Sequence, residues 1–492
     1  MDNPASTRAA LLTGKSLEWE DDLSVNISRS EKQQELPLLF SGKSSSIRRS
    51  KMKWVALFLA SMLNFALYFN LHGPQSLQPP LQEVFDIGDS KFNIIYSVYS
   101  LPNIVLPLLG GFLIDFLGVR AAINLFGFFV ILGQGAFTYG TYIKNFQFMV
   151  IGRFIFGLGG ESLTVSQLPF LAKWFSGKEL SFAWGFVKAA LRFGSSLSSF
   201  LIPKIYLASG TLYAPFLVGL ALTVISWLFG LLLCYLDKMA DKQESLLQTS
   251  GFSDDSVKLK DLKNLPFLLH LLLISYTCLY GSVFALSNNL NNILVRRFGF
   301  DVNEAGNLVM MIYLISAVSS PLVGIIVTRF GKRIKMMFVA TCILILSQMA
   351  LNFMEDRTPD DPNSNVIIAL VGTSIFFAMY SILFWPCIPL IVEKKVIGTT
   401  TGLITSVYNL LLTILPIGLG IIHDVTEDFH FGYFWTEIAL ILLLTIGLAI
   451  VLWIYFEDIQ TGRRLDKSAK DLEDEEFEEE VSSGDILESS KK

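Results

Sequence analysis

Cysteine is scarce and poorly placed for cross-linking. Cys234, Cys278, Cys342 and Cys387 each lie inside an apolar segment with no partner at short range, which argues against a disulfide framework or a zinc site and leaves packing as their role. Charge is scarce as well. Only 16% of the 492 residues are charged against 52% hydrophobic, and the mean hydropathy is +0.52, more apolar surface than a soluble fold can hide. No nucleotide-binding P-loop, metal-ligand cluster or nucleophile elbow occurs, so neither an enzyme nor ATP-driven chemistry is expected. No cofactor, metal or nucleic acid is expected either. A cleavable signal sequence is also missing, since the first 53 residues are polar and include Pro37 and Ser44-Ser45-Ser46. The sole Asn-x-Ser/Thr site is Asn26-Ile-Ser28, in a tail expected to face the cytosol, so the outer loops are expected to carry no N-linked sugar.

What the chain has in abundance is apolar helix. A bilayer core takes about 20 residues per helix, and on that scale spans fall near 54–71, 92–113, 121–142, 147–172, 181–206 and 213–236. Six more follow near 267–293, 304–328, 335–354, 365–391, 399–422 and 432–456. The expected class is an all-α polytopic membrane protein of 12 transmembrane helices in two six-helix pseudo-repeats. Its expected parts are a disordered cytosolic tail (1–53), an N-terminal bundle (54–236), a cytosolic central loop (237–265), a C-terminal bundle (266–456) and an acidic cytosolic tail (457–492). Lys and Arg set the orientation: Lys51, Lys53, Arg120, Lys173, Arg329, Arg333 and Arg464 fall on the side of the termini, whereas Glu83, Asp86, Asp89, Glu355, Asp356 and Asp424 fall opposite. Both termini are therefore expected in the cytosol. The acidic run Asp471 to Glu480 reads as a solvated segment, and Leu11-Leu12 and Leu38-Leu39 as dileucine-like sorting pairs.

A repeat is legible within this frame. Gly111-Phe-Leu-Ile-Asp115-Phe-Leu-Gly118-Val-Arg120 follows the second span, and Gly324-Ile-Ile-Val-Thr328-Arg-Phe-Gly331-Lys-Arg333 follows the eighth. Such a repeat is expected of two bundles that rock about a central site. Asp115, Gly118, Arg120, Gly324, Gly331 and Arg333 are accordingly expected to brace or gate the loops, although Thr328 stands where the second loop's acid would be.

The costliest residues lie in the fourth and fifth spans. Gly152-Arg153-Phe-Ile-Phe-Gly157-Leu-Gly159-Gly160-Glu161-Ser162 places a carboxylate in an apolar helix, which is expensive unless it faces protein or an aqueous cavity. The three last glycines are expected to let the helix approach a neighbour closely. Counted from the turn Lys173 to Glu179 at 1.5 Å per residue, Glu161 and Arg192 both lie roughly 18–20 Å from the cytosolic surface. Two opposite charges at one depth suit a ligand with one ammonium and one carboxylate, such as a dipeptide. A structural salt bridge of Glu161 with Arg192 or Arg153 is the competing reading. Arg153, nearer the outer side, is expected to be structural or gating, and Lys188 to snorkel toward the interface.

These stretches together resemble the major facilitator superfamily: the Gly-x-x-x-Asp-x-x-Gly-x-Arg loop, the Arg-Phe-x-x-Gly-x-Gly-Gly run and the six-plus-six layout. A narrower resemblance rests on Tyr96-Ser-Val-Tyr99-Ser-Leu-Pro102-Asn103, on the run from Gly152 through Trp174 to Leu180, on Arg192-Phe-Gly-Ser195, on Trp385-Pro386 and on Asn409. Here the chain is similar to lysosomal dipeptide uniporters. That resemblance implies alternating access, export of dipeptides from the lysosome lumen, Glu161 for the peptide amino group, Arg192 for its carboxylate and Trp385 in the site. It also implies a late endosomal or lysosomal membrane and a glycosylated single-span lysosomal partner; a homodimer is a further expectation. The run Asn70-Leu71-His72-Gly73-Pro74 departs from the Tyr-Asp-Asn-Pro-like pattern of those proteins.

Polar and aromatic residues on other spans are expected to complete the site. Tyr276, Tyr280, Phe284 and Asn288 recur every fourth residue and share a helix face. Tyr96, Tyr99, Asn64, Tyr68, Tyr313, Tyr408 and Asn409 add hydroxyls and amides. His72 at a span end reads as a solvated side chain or a proton relay, and His423 and His430 as outer-loop residues. Two other functions stay open: a proton-coupled carrier of a small organic anion or amino acid, with Arg192 as sole anchor and Glu161 carrying the proton, and a non-transporting sensor or scaffold that acts through its tails.

Overall fold

The computed structural model describes residues 48, 50–109, 117–175, 177–245, 265–392, 397–427, 429–468 and 471, and its regular elements are helical throughout. In the first half come α1 (Met52–Leu71), α2 (Gln78–Phe85), α3 (Asp89–Ser100), α4 (Val119–Tyr142), α5 (Phe146–Trp174), α6 (Gly177–Ser209) and α7 (Tyr213–Ser245). In the second come α8 (Phe267–Arg296), α9 (Val302–Phe330), α10 (Arg333–Phe353), α11 (Val366–Phe384), α12 (Ile388–Ile391), α13 (Ile397–Val425) and α14 (Tyr433–Gln460). Single 3-10 turns interrupt the path at Pro74–Leu77, Pro102–Ile104, Trp385–Cys387, His430–Gly432 and Arg464–Asp466. Among the described residues, 10 helical stretches are long and apolar enough to cross a membrane. The polar α6, with Lys188, Arg192 and Lys204, and α3 with its 3-10 turn complete two sets of six.

Each half has its own core. One cluster of buried residues is drawn from α8–α14, the loops between them and Leu465 just after α14, and two more come from α1–α7 and their connections. Local signals start the helices. The Asn145 side chain accepts from the Phe148 N–H (3.2 Å) to cap α5, and Asp301 with Glu304 forms a capping box at α9. The glycines of α5 fit it between two neighbours. A Cβ at Gly157 would collide with the Tyr99 carbonyl on α3, and one at Gly159 with the Phe126 carbonyl on α4. This close approach is what sets Glu161 beside Tyr99.

The paired loops converge on similar ends by different chemistry. Gly118 and Gly331 both have positive φ, +79° and +63°, a region that side chains resist. Arg120 ion-pairs with Asp241 and with Asp237 (3.4 Å) at the end of α7. Arg333 instead donates to the Leu465 and Lys467 carbonyls (3.1 and 2.7 Å), and Asp466 accepts from the Ile334 N–H (3.1 Å). Thr328 bonds its own helix at Gly324 O (2.9 Å), so the segment after α14 holds this loop in place of a local acid. Asp115 lies outside the described residues. Gly324 faces open space, so its lack of a side chain meets no steric need. Gly331→Ala, strained in φ and driven against the Asp466 carbonyl, is expected to lose about 1–3 kcal/mol; Gly324→Ala should stay within about 0.5 kcal/mol of the parent. Thermal unfolding of the two variants in detergent checks this pair.

The halves meet on the side away from the tails. There the buried Asp89 carboxylate, at the start of α3, takes donors from both. Gln78 (2.9 Å) and Gln82 reach it from the first half, Asn292 (3.2 Å) and Tyr433 Oη (3.1 Å) from the second, and His423 Nδ1, also of the second half, stands 2.9 Å away as its ion-pair partner. Asp424 in turn accepts from the Asp89 and Ser90 N–H groups (3.0 and 3.2 Å). His423 is thus not a loop residue. It sits inside α13, 3% exposed, because pairing with Asp89 offsets the cost of burying it.

Candidate functional site

Glu161 is half-buried on α5, and the Tyr99 hydroxyl donates to its Oε1 (3.3 Å). Arg192, on α6, donates to the Tyr280 hydroxyl on α8 and lays its guanidinium 4.6 Å from the Phe377 ring centroid on α11. Among the described residues no ion pair joins Glu161 to Arg192 or Arg153. Each of the two charges therefore keeps bonding capacity, since a carboxylate accepts from several donors and a guanidinium offers five N–H groups. Lys188, one turn from Arg192, holds its ammonium 4.7 Å from the Trp184 ring centroid and attracts Glu161. It faces inward rather than out to the interface.

Arg153 turns away from this pair. It is 1% exposed, donates to the Asn70 carbonyl at the end of α1 (2.9 Å) and stacks on Phe137 (4.4 Å). Asn64 is engaged too, donating to Gln167 (2.8 Å) and accepting from Thr164 (3.0 Å), both on α5. Tyr68, also on α1, lies in the field of both Glu161 and Arg192.

Opposite the charges stands an aromatic wall from the second half. Tyr276 stacks on Tyr280 (5.1 Å between centroids) and on Phe384 (4.3 Å), and meets Trp385 edge-on (5.4 Å). Tyr408 packs against Tyr276 and Tyr280 (5.3 and 5.8 Å). The helix-breaking step at Trp385-Pro386 puts that indole at the end of α11, half-buried. Charge on one half and π-faces on the other suit a small zwitterion with side chains attached.

The other residues singled out in the sequence are distributed unevenly. Tyr96 is buried and meets Phe92 edge-on (5.9 Å); Asn409 is buried and donates within its own helix to Thr405 O (2.9 Å). Asn288 is 0% exposed, and neither of its amide atoms has a partner among the described residues. The solvated reading of His72 is overturned. Its ring is 1% exposed, wedged between Tyr313 (5.0 Å), Phe284 (5.6 Å) and Tyr68 (6.0 Å). The 3-10 turn that follows α1 folds Gln75 back onto it, which a hydropathy count cannot foresee. Phe377 and Gln75 went unread in the sequence. Phe377 had a signal, its seven-residue spacing to Phe384 on one face of α11; Gln75 had none.

Comparison with known proteins accords with this architecture. The family model for the Major Facilitator Superfamily matches residues 53–291 and 272–483. The lysosomal dipeptide transporter MFSD1 of Mus musculus is 32% identical over 429 residues, 85% of this chain and 89% of that protein. Its Homo sapiens counterpart is 31% identical over 433 residues, 86% and 90% respectively. Among solved structures, a bacterial homologue of the human lysosomal transporter Spinster, inward-facing and unoccupied, superposes with a TM-score of 0.64 at 14% identity. The superposition covers 82% of this chain and 97% of that one. The two helical halves, the matched residues and the extent of the identity lead to one conclusion: the chain is a multi-pass membrane transporter, not an enzyme, and belongs to the major facilitator superfamily and, within it, to the MFSD1 family.

Proposed function

We propose that this transporter carries dipeptides out of the lysosome into the cytosol, as a uniporter working by alternating access. The peptide ammonium binds at Glu161 and the peptide carboxylate at Arg192. One observation carries the reading: a carboxylate and a guanidinium on adjacent helices of the first half, unpaired with each other among the described residues, facing an aromatic wall of the second. The names of the mouse and human relatives support the substrate class and the compartment. Counting from Trp174 along α5 and from Gly177 along α6 puts both poles about 20 Å from the turn between them, a depth that suits a site reached from either side in turn.

A charge-assisted hydrogen bond is worth about 1.5–3 kcal/mol, so removing either pole should weaken binding by roughly 10- to 100-fold. The test is uptake into vesicles with matched ligands. Glu161→Gln should impair a free dipeptide but not its N-acetyl derivative, and Arg192→Ala should impair a free dipeptide but not its amide. Flux of single amino acids or organic anions with proton movement, and none of dipeptides, would replace this reading with the proton-coupled one. No flux of any solute would favour the sensor.

A further inference from the structure

The two halves settle the cations on the side of the tails in opposite ways. In the first half Arg48 pairs with Asp237 (2.9 Å), Lys53 with Glu179 (2.7 Å) and Arg120 with Asp237 (3.4 Å). In the second half Arg329, Lys332, Lys335 and Arg463 are all exposed, and among the described residues none of them pairs with a carboxylate. Tertiary contacts gather these four. The segment after α14 lies against the loop between α9 and α10, where the Lys332 N–H donates to the Asp466 carbonyl (2.8 Å) and Arg333 to the Lys467 carbonyl (2.7 Å). The acids at hand are engaged with backbone. Asp466 accepts from the Ile334 N–H (3.1 Å), and Asp458, 2% exposed, from the Leu465 N–H (3.0 Å). Thr328 in place of an acid leaves the loop more basic still.

Lys332 and Arg463 also share an unusual backbone. Their φ angles are +51° and +55°, and each directly follows a glycine of positive φ, Gly331 and Gly462. Few residues with a side chain take that region, and strain kept at an exposed position points to a use for the side chain it aims. The rule that places Lys and Arg on one side of a membrane accounts for their number and not for this conformation. Exposed rings adjoin the charges. The Arg329 guanidinium is 5.5 Å from the centroid of Phe330, itself 56% exposed, and the Lys335 ammonium is 5.7 Å from that of Tyr455.

We propose that this surface binds the headgroup of an anionic phospholipid bearing a phosphate monoester, in the leaflet on the side of the tails. A monoester brings about 1.5–2 negative charges and three acceptor oxygens, which suits several cations at once, whereas a zwitterionic headgroup is neutral overall. Arg463 offers a planar fork to those oxygens, and the lysines add point charges. The acyl chains lie against exposed apolar side chains such as Phe330. Bound lipid would brace the contact between the α9–α10 loop and the segment after α14.

The test measures binding of short-chain phosphatidylinositol monophosphate, and of phosphatidylinositol lacking the monoester, to the purified full-length protein in detergent. The parent should prefer the monophosphate by about 10-fold or more. Each juxtamembrane cation is worth about fivefold in affinity, so Lys335→Gln should weaken binding by about that factor. Lys332→Asn with Arg463→Asn should weaken it about 30-fold, and, because asparagine tolerates left-handed backbone, leave the unfolding temperature without lipid unchanged or raised. Lys53→Gln, at a cation already paired, should stay within about twofold of the parent. Equal affinity of the parent for both lipids would leave the surface to the chain's own acidic run, Asp471 to Glu480, and overturn the proposal. Parent-like binding by both Lys335→Gln and the double variant, or an equal loss in Lys53→Gln, would overturn it too. The deacylated headgroup should bind at least about 10-fold more weakly than the lipid; equal affinity would replace the lipid with a soluble phosphate ligand.

Discussion

Arg297→Leu is expected to cost about 3–5 kcal/mol of stability, the loss typical of removing one partner from a buried ion pair. Arg297 caps the end of α8 and is 0% exposed, although it lies where the chain turns into a loop. It pairs with Asp356 (2.8 Å) and Glu437 (3.3 Å), and it satisfies the carbonyls of Asn352 and Met354 (3.1 Å each). Asp356 keeps a second partner in His430 (2.7 Å), whereas Glu437 is 1% exposed and has no other among the described residues. The deletion thus strands a single carboxylate inside the second half. The loop from Asp356 to Asn363 should loosen as well, since Arg357 and Asn363 donate to the carbonyls of Arg297 and Phe298 (2.7 and 3.1 Å). Thermal unfolding in detergent, with limited proteolysis of this loop, reads both effects. Arg297→Leu combined with Glu437→Leu should recover most of the loss, because well-packed apolar replacements of a buried pair are often neutral. A double variant no more stable than the single one would count against the stranded-charge account.

Asp89→Ala is expected to shift the resting arrangement of the two halves. The carboxylate is the point where donors from both halves converge away from the tails. Those bonds exist only while that side is closed, so their loss penalises the closed arrangement and spares an open one. The penalty is about 3 kcal/mol, because His423 stays buried with only the more distant Asp424 (3.5 Å) beside it, and 1.4 kcal/mol is already tenfold in a population. Asp89→Asn, which retains an acceptor, should fall between parent and alanine. The measurement is a distance distribution between spin labels at Glu83 and Asp360, both exposed, with the four cysteines replaced. The parent should give mainly the short distance, and the alanine variant a large long-distance component. Superimposable distributions for the parent and both variants, under conditions where added dipeptide moves the parent's distance, would show that the closure is held elsewhere.

Much of this molecule is already written along the chain. Hydropathy marks where it turns helical and apolar, because burial in lipid is a property of each segment by itself. Gly118 and Gly331 mark turns because positive φ is a local demand. The depth of Glu161 and Arg192 follows from helical rise alone, and so does the shared face of Tyr276, Tyr280 and Phe284. The tertiary structure decided what these residues meet. A helical period shows which face is buried and never against what. Arg192 finds Tyr280 across the two halves instead of Glu161, and Arg153 finds a backbone carbonyl. Asp89 and His423 look like loop residues until one bundle is laid on the other. His72 looks solvated until the turn after α1 folds Gln75 back over it. Loss of the acid at Thr328 seemed to leave one loop unheld, yet the segment after α14 holds it through carbonyls that every sequence possesses. Partner choice among buried polar groups depends on distances between segments far apart in the chain, and those distances are fixed only when the helices pack.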